Sequence, residues 1–333
     1  MITPSLAKVI IQEHKYKPIT GKVLTLGKQL IAMTMEETLT IISDQGLIPN
    51  KSTYDDSFNV TSSKVRHSNQ NNWISDSTFF SLLGVHEIYS IDVTDYEGAD
   101  LVHDLNNPVD PSLHEKFDFI IDGGTFDHLL DLRISFENVC NLLKKDGRVI
   151  QWNAASNFTG LAYLSLGPDL FYDFYVFNNF KDCKVYIAEA DSPGQLLDWD
   201  FYYFSSPISY QKFNSPRNQM VIVIAEKKES FKKITYPVQS QYRDSDTREI
   251  AGRNIKRVGN CSRPILSGNL NSSIHPQTIN QRIKIFFIRG IQWILKLFNA
   301  TITFNLDPKN LFPIRGVNKP SNCPNGFTYL GKL

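Results

Sequence analysis

Asp122-Gly123-Gly124-Thr125-Phe126-Asp127-His128 places two carboxyls and an imidazole around a glycine pair in one short stretch. A carboxyl beside an imidazole is suited to proton transfer: the ring accepts the proton, and Asp127 or Asp122 orients the ring. The glycines let backbone approach whatever occupies the turn. The same residues also fit a tight turn with a solvent-facing histidine. Two further acids, Asp92 and Asp104, close apolar runs in the same way, and Gly27 ends a third run, Lys22-Val23-Leu24-Thr25-Leu26. An adenosine-containing ligand lying across strand ends needs acceptors for its ribose hydroxyls and its exocyclic amine. Asp92 and Asp104 are placed for those two tasks.

The elements that must position these groups follow from the hydrophobic pattern. Phe117-Asp118-Phe119-Ile120-Ile121 reads as a strand covered on both faces, and His86 to Asp92 and Ala99 to His103 as two more. Between them the spacing predicts a helix over 29–42, a long polar loop over 50–72, and a short helix capped by Ser75 and stopped by Gly84. A helix over 134–143, a strand Arg148 to Trp152 and a helix opened by Pro168 come next. Cys183 to Ala188 and Met220 to Ala225 then read as strands with no clear helix between them. This alternation predicts an α/β fold: a doubly wound, mostly parallel sheet with an antiparallel hairpin at one edge.

The body is read as 1–226. Residues 227–277 are polar and read as a linker or loosely ordered extension, and 278–333 as a basic tail holding an amphipathic helix over 279–298. Residues 1–225 carry 17 Lys/Arg against 28 Asp/Glu, a net −11, while 226–333 carry 18 against 6, a net +12. The basic helix suits an anionic membrane surface, or else docks on the body or a second subunit. Nucleic acid is disfavoured as a partner because few aromatics interleave with Lys227, Lys228, Lys232, Lys233, Arg253, Lys256 and Arg257. Glu13, His14 and Lys15 fall where a secretory signal would need apolar residues, and no apolar span has transmembrane length. The four cysteines stand far apart without His partners, so neither a disulfide framework nor a metal site is expected and a reducing cytoplasm is the default.

Several of these runs, taken together, resemble the class I S-adenosylmethionine-dependent methyltransferases over residues 20–226. They are most similar to a bacterial group met among surface-polysaccharide biosynthesis proteins. The similarity is carried by Leu26-Gly27-Lys28-Gln29, Ser90-Ile91-Asp92, Tyr96-Glu97-Gly98-Ala99, His103-Asp104-Leu105-Asn106, Asp122-Gly123-Gly124-Thr125 and Gly167-Pro168-Asp169-Leu170-Phe171. It implies a seven-stranded sheet with an antiparallel last strand, S-adenosylmethionine as cofactor, and O-methylation of a glycan or other small polar acceptor. On this resemblance Gly27 lies under the methionine portion, Asp92 takes the ribose, Asp104 with Leu105 meets the adenine, and Asp122 lies beside the transferable methyl.

The chain departs from that pattern in its glycine loop. Thr25 stands for the usual acid, and Lys28, Gln29 and Ile31 follow Gly27 where further glycines are usual. Lys28 then either attracts the cofactor carboxylate or is an exposed lysine. Asp127-His128 replaces the group's Glu-His. Asn153 and Asn157 follow the fifth strand and either bind a polar acceptor or cap the loop. A nicotinamide-dependent oxidoreductase is disfavoured, because neither Gly-x-Gly-x-x-Gly nor Tyr-x-x-x-Lys is present. The competing class is a catalytically inactive methyltransferase-like binding or assembly protein, to which the altered glycine loop points.

Overall fold

The apolar runs become central strands because helices cover both faces of the sheet. The computed structural model describes residues 1–50, 72–192, 198–204, 213–230, 234–267 and 327–332; the expected helix over 279–298 and most of the 50–72 loop lie outside them. The elements run α1 (Pro4–Tyr16), β1 (Lys22–Leu26), α2 (Met35–Asp44), α3 (Asp76–Leu82), β2 (Glu87–Asp92), β3 (Leu101–Val102) and β4 (Phe117–Asp122). They continue α4 (Leu132–Leu142), β5 (Leu143–Ser156), α5 (Pro168–Phe177), β6 (Phe180–Ala190), β7 (Asp200–Phe204), β8 (Asn218–Lys227), α6 (Ser245–Gly259) and β9 (Phe327–Lys332).

These strands form one sheet of nine in the order β3-β2-β1-β4-β5-β8-β6-β7-β9. The pairs from β3 through to β5 are all parallel. The expected doubly wound, mostly parallel sheet is therefore present. The antiparallel β6/β8 pair read from the sequence is also present, but β8 is interior: it inserts between β5 and β6 and runs antiparallel to both. Burial of its residues explains why its sequence is an uninterrupted apolar run. The edge is instead closed by β7 and β9, which extend the expected seven strands to nine.

On one face Leu24, Ile120, Val149, Val185 and Val223 join Phe136 of α4, Phe171 and Tyr175 of α5 and Val258 of α6 in a single core. On the other, Val23, Phe119, Ile150 and Ile222 are fully buried. There Arg148 of β5 lies over the Phe119 ring and meets Glu13 of α1.

Four segments differ from the sequence reading. The helix expected over 29–42 begins only at Met35, because Thr34 and Glu37 form a reciprocal capping box there. Ahead of it, Ile31 pairs with Ile2 in an isolated bridge. Part of the 227–277 stretch belongs to the body, since α6 packs on α5 and β6 and buries Ala251 and Val258. Beyond α6, Arg263 enters a buried charge cluster, where it pairs with Glu13, Asp182 and Glu226. Neither α1 nor β9 was foreseen; β9 is one short strand isolated in sequence from the rest of the sheet.

Candidate functional site

The strand order reverses between β1 and β4: the chain leaves β1 toward β2 and β3, then crosses back to β4. A crevice outside the carboxyl ends of strands at such a switch point is where open α/β sheets bind ligands. Here it is a cleft of about 390 Å³ lined by the ends of β1, β2, β3 and β4. Gly27 turns the chain after β1 at φ +71°, donating its N–H to Ile91 O at 2.7 Å. A Cβ there would stand 3.1 Å from Thr125 Oγ1. Thr125 in turn donates its hydroxyl to Leu26 O at 2.7 Å, so the turns after β1 and β4 are pinned together.

The three strand-end acids differ in what they can still accept. Asp92 receives Val93 N–H at 2.7 Å on Oδ1 and Lys28 N–H at 3.2 Å on Oδ2. One further acceptor site remains on each oxygen. Asp104 lines the same cleft, holding Asn106 through backbone and side chain at 2.9 Å each and Asn107 at 3.3 Å. The backbone N–H of Asn106 keeps its carboxyl below the ordinary range. Asp122 is fully buried and saturated: Oδ1 accepts Gly124 and Thr125 N–H, and Oδ2 accepts the amides of Gln151 and Asn153. Burial nevertheless pushes its carboxyl up to about 6.

His128 lines the cleft with half its side chain exposed, and its Nε2 lies 3.5 Å from Asp127 Oδ1. Asp127 is buried behind it, and burial raises its carboxyl. Its Oδ2 accepts Ala154 N–H at 2.8 Å, while Oδ1 has no hydrogen-bond partner among the described residues and faces the imidazole. A small rotation of the ring would bring Nε2–H onto that oxygen and leave the Nδ1 lone pair for a proton from outside.

Of the residues singled out in the sequence, Gly27, Asp92, Asp104, Leu105 and His128 come together around the cleft, with Asp127 directly behind His128. Lys28 is not among the lining residues; its amine pairs with Asp76 at 3.2 Å. Asn153 is buried as a strut, donating to Asp122 and accepting Asp127 N–H. Asn157 ties the end of β5 to the approach to β8 by donating to Ser215 O and Arg217 O. Sequence reasoning missed Val93, His103, Thr125 and Leu129, which also line the cleft. Val93, His103 and Thr125 lie close to the strand-end acids, so that adjacency was the available signal. No Lys or Arg is among the lining residues, and among the described residues no group of His, Cys, Asp and Glu is arranged to hold a metal.

No protein-family profile matches the chain, and no curated protein matches it. Among solved structures it is similar to the CMeT domain of the citrinin polyketide synthase: 12% identity over 68% of this chain and 52% of that one, TM-score 0.35. The chain thus spans about half of that protein. It is also similar to a Burkholderia thailandensis 1,6-didemethyltoxoflavin-N1-methyltransferase with bound S-adenosylhomocysteine (12% identity, 68% and 78% coverage, TM-score 0.28). A Bacteroides fragilis SAM-dependent methyltransferase in complex with S-adenosyl-L-homocysteine matches at 12% identity, 65% and 77% coverage and TM-score 0.23. At these scores no activity carries over from them.

Proposed function

We propose that the chain is an S-adenosylmethionine-dependent methyltransferase that O-methylates a glycan or another small polar acceptor. The observation that carries this reading is the cleft at the β1/β4 switch point, lined by Gly27, Asp92 and Asp104 and, among the described residues, by no Lys or Arg. Two acids without a Lys or Arg beside them suit a cationic sulfonium nucleoside and oppose the phosphates of a dinucleotide. When bound, the cofactor supplies a methyl group on positively charged sulfur. Asp92 uses its remaining acceptor sites for the ribose hydroxyls, and Asp104 with Leu105 meets the adenine. Gly27 gives close backbone approach to the methionine portion. Holding acceptor and methyl in line supplies much of the acceleration. His128 takes the acceptor proton on Nδ1, and the Asp127 carboxylate, 3.5 Å from Nε2, stabilises the imidazolium that forms. The setting in surface-polysaccharide synthesis rests on the motif resemblance.

Titration calorimetry with S-adenosylmethionine and S-adenosylhomocysteine tests this. Saturable binding by the wild type, abolished in Asp92→Ala, is the expected result; folded protein that binds neither ligand refutes it. One feature favours the inactive binding protein instead: Gln29, where a glycine is usual, folds under the loop and donates to Leu26 O and Gly27 O. Absence of cofactor binding would leave that reading standing.

A further inference from the structure

The loop that follows β5 stands beside His128 and displays an aromatic ring there. Tyr163 is 78% exposed, and its ring meets the imidazole edge-to-face at 6.2 Å between centroids. It is not among the lining residues of the cofactor cleft, so it flanks that cleft through His128. The loop backbone is firmly tied. Tyr163 and Leu164 both donate N–H to Asp127 O at 3.0 Å, Leu166 donates to Ala154 O at 2.8 Å, and the Leu166 side chain is buried in the core. A side chain held out to water by an anchored backbone is displayed, and Leu130, two residues after His128, is displayed likewise at 77% exposure.

We infer that Tyr163 is the acceptor platform and that the acceptor is a neutral pyranose ring, one face on the tyrosine and one hydroxyl at His128. This rests on the methyltransferase reading and deepens it. Charge weighs against anionic acceptors: Asp92 and Asp104 line the adjoining cleft, Asp127 lies directly behind His128, and among the described residues no Lys or Arg lines the cleft. Openness decides against a flat aromatic acceptor, which gains most from enclosure between two apolar walls. A sugar has one C–H face to lay on a ring and hydroxyls that stay in water, which matches a platform open on its other side. In the transfer the sugar oxygen bonds to the methyl carbon and the carbon–sulfur bond breaks with its electron pair left on sulfur. The hydroxyl proton passes to His128 and from there to solvent; the products are the methyl ether and S-adenosylhomocysteine.

The test is saturation-transfer NMR on the full chain saturated with S-adenosylhomocysteine. The probes are the methyl α-pyranosides of glucose, mannose and galactose, with glucuronate and catechol as the anionic and aromatic comparisons. At least one neutral pyranoside is expected to bind saturably. Tyr163→Ala should weaken it about tenfold, the size of a stacking contact, and Tyr163→Trp should retain it. Neither substitution should change S-adenosylhomocysteine affinity more than about twofold, which also shows that the variants fold. Normal S-adenosylhomocysteine binding without a pyranoside signal, unchanged pyranoside binding in Tyr163→Ala, or preference for glucuronate or catechol overturns the acceptor assignment alone. Failure of the unaltered protein to bind S-adenosylhomocysteine overturns the methyltransferase reading and this inference with it.

Discussion

Replacing Asp122 with asparagine separates burial from hydrogen bonding at the strand end. Burial raises this carboxyl from 3.8 to about 6, against the opposing pull of Asn153, Thr125 and Gln151. A carboxyl raised on folding binds its proton more tightly in the folded chain. Its contribution to stability is therefore complete below about pH 4 and is lost as the pH rises through about 6. A rise of that size corresponds to on the order of 3 kcal/mol. Asp122→Asn keeps the shape and removes the titration. Its amide nitrogen will face the amide of Asn153, which cannot turn over because its oxygen is committed to Asp127 N–H. That mismatch costs about 1–3 kcal/mol at every pH and only offsets the comparison. Urea denaturation of both proteins from about pH 7.5 to pH 4 cancels the groups they share, leaving Asp122 as the difference. The wild type should gain about 2–3 kcal/mol on the variant over that interval. Parallel curves, or a wild type that loses ground on acidification, would show that the four donors outweigh burial and that the carboxyl is held low.

Two further substitutions probe the base of the sheet and the cofactor turn. Arg263→Met leaves Glu13, Asp182 and Glu226 short of a buried partner and should cost about 3–5 kcal/mol in urea; an unchanged midpoint would mean the cluster rearranges without it. Gly27→Ala puts a side chain at φ +71° against Thr125 and should cost about 1–2 kcal/mol while weakening S-adenosylhomocysteine binding in calorimetry; full affinity would place the ligand away from this turn.

The parallel half of the sheet was legible because burial on both faces leaves uninterrupted apolar runs, as in Phe119-Ile120-Ile121, that stop abruptly on polar turns. The strand-end residues Gly27, Asp92 and Asp104 were legible for the same reason: each ends such a run. Lys28, Asn153 and Asn157 were assigned to the site by position along the chain. What each side chain does depends on partners distant in sequence: Asp76 for Lys28, Asp122 for Asn153, and Ser215 and Arg217 for Asn157. The helix α6 was missed because its polar composition hides a narrow buried stripe, Ala251 and Val258. Tyr163 carried no signal at all in the sequence, since its neighbourhood with His128 is created by two backbone bonds to Asp127 O.

The pairing of β9 along β7 bears on how this protein can be handled. Asp200-Phe201-Tyr202-Tyr203-Phe204 is an aromatic strand whose outer row of N–H and C=O groups is paired, among the described residues, by 327–332, with Tyr329 also donating its hydroxyl to Asp200. A chain trimmed after residue 267, past Arg263, would keep every cleft residue yet expose that row as a template for a second molecule. Such a version would be expected to associate edge to edge, so β9 acts as a cover strip for a sheet whose working end lies elsewhere.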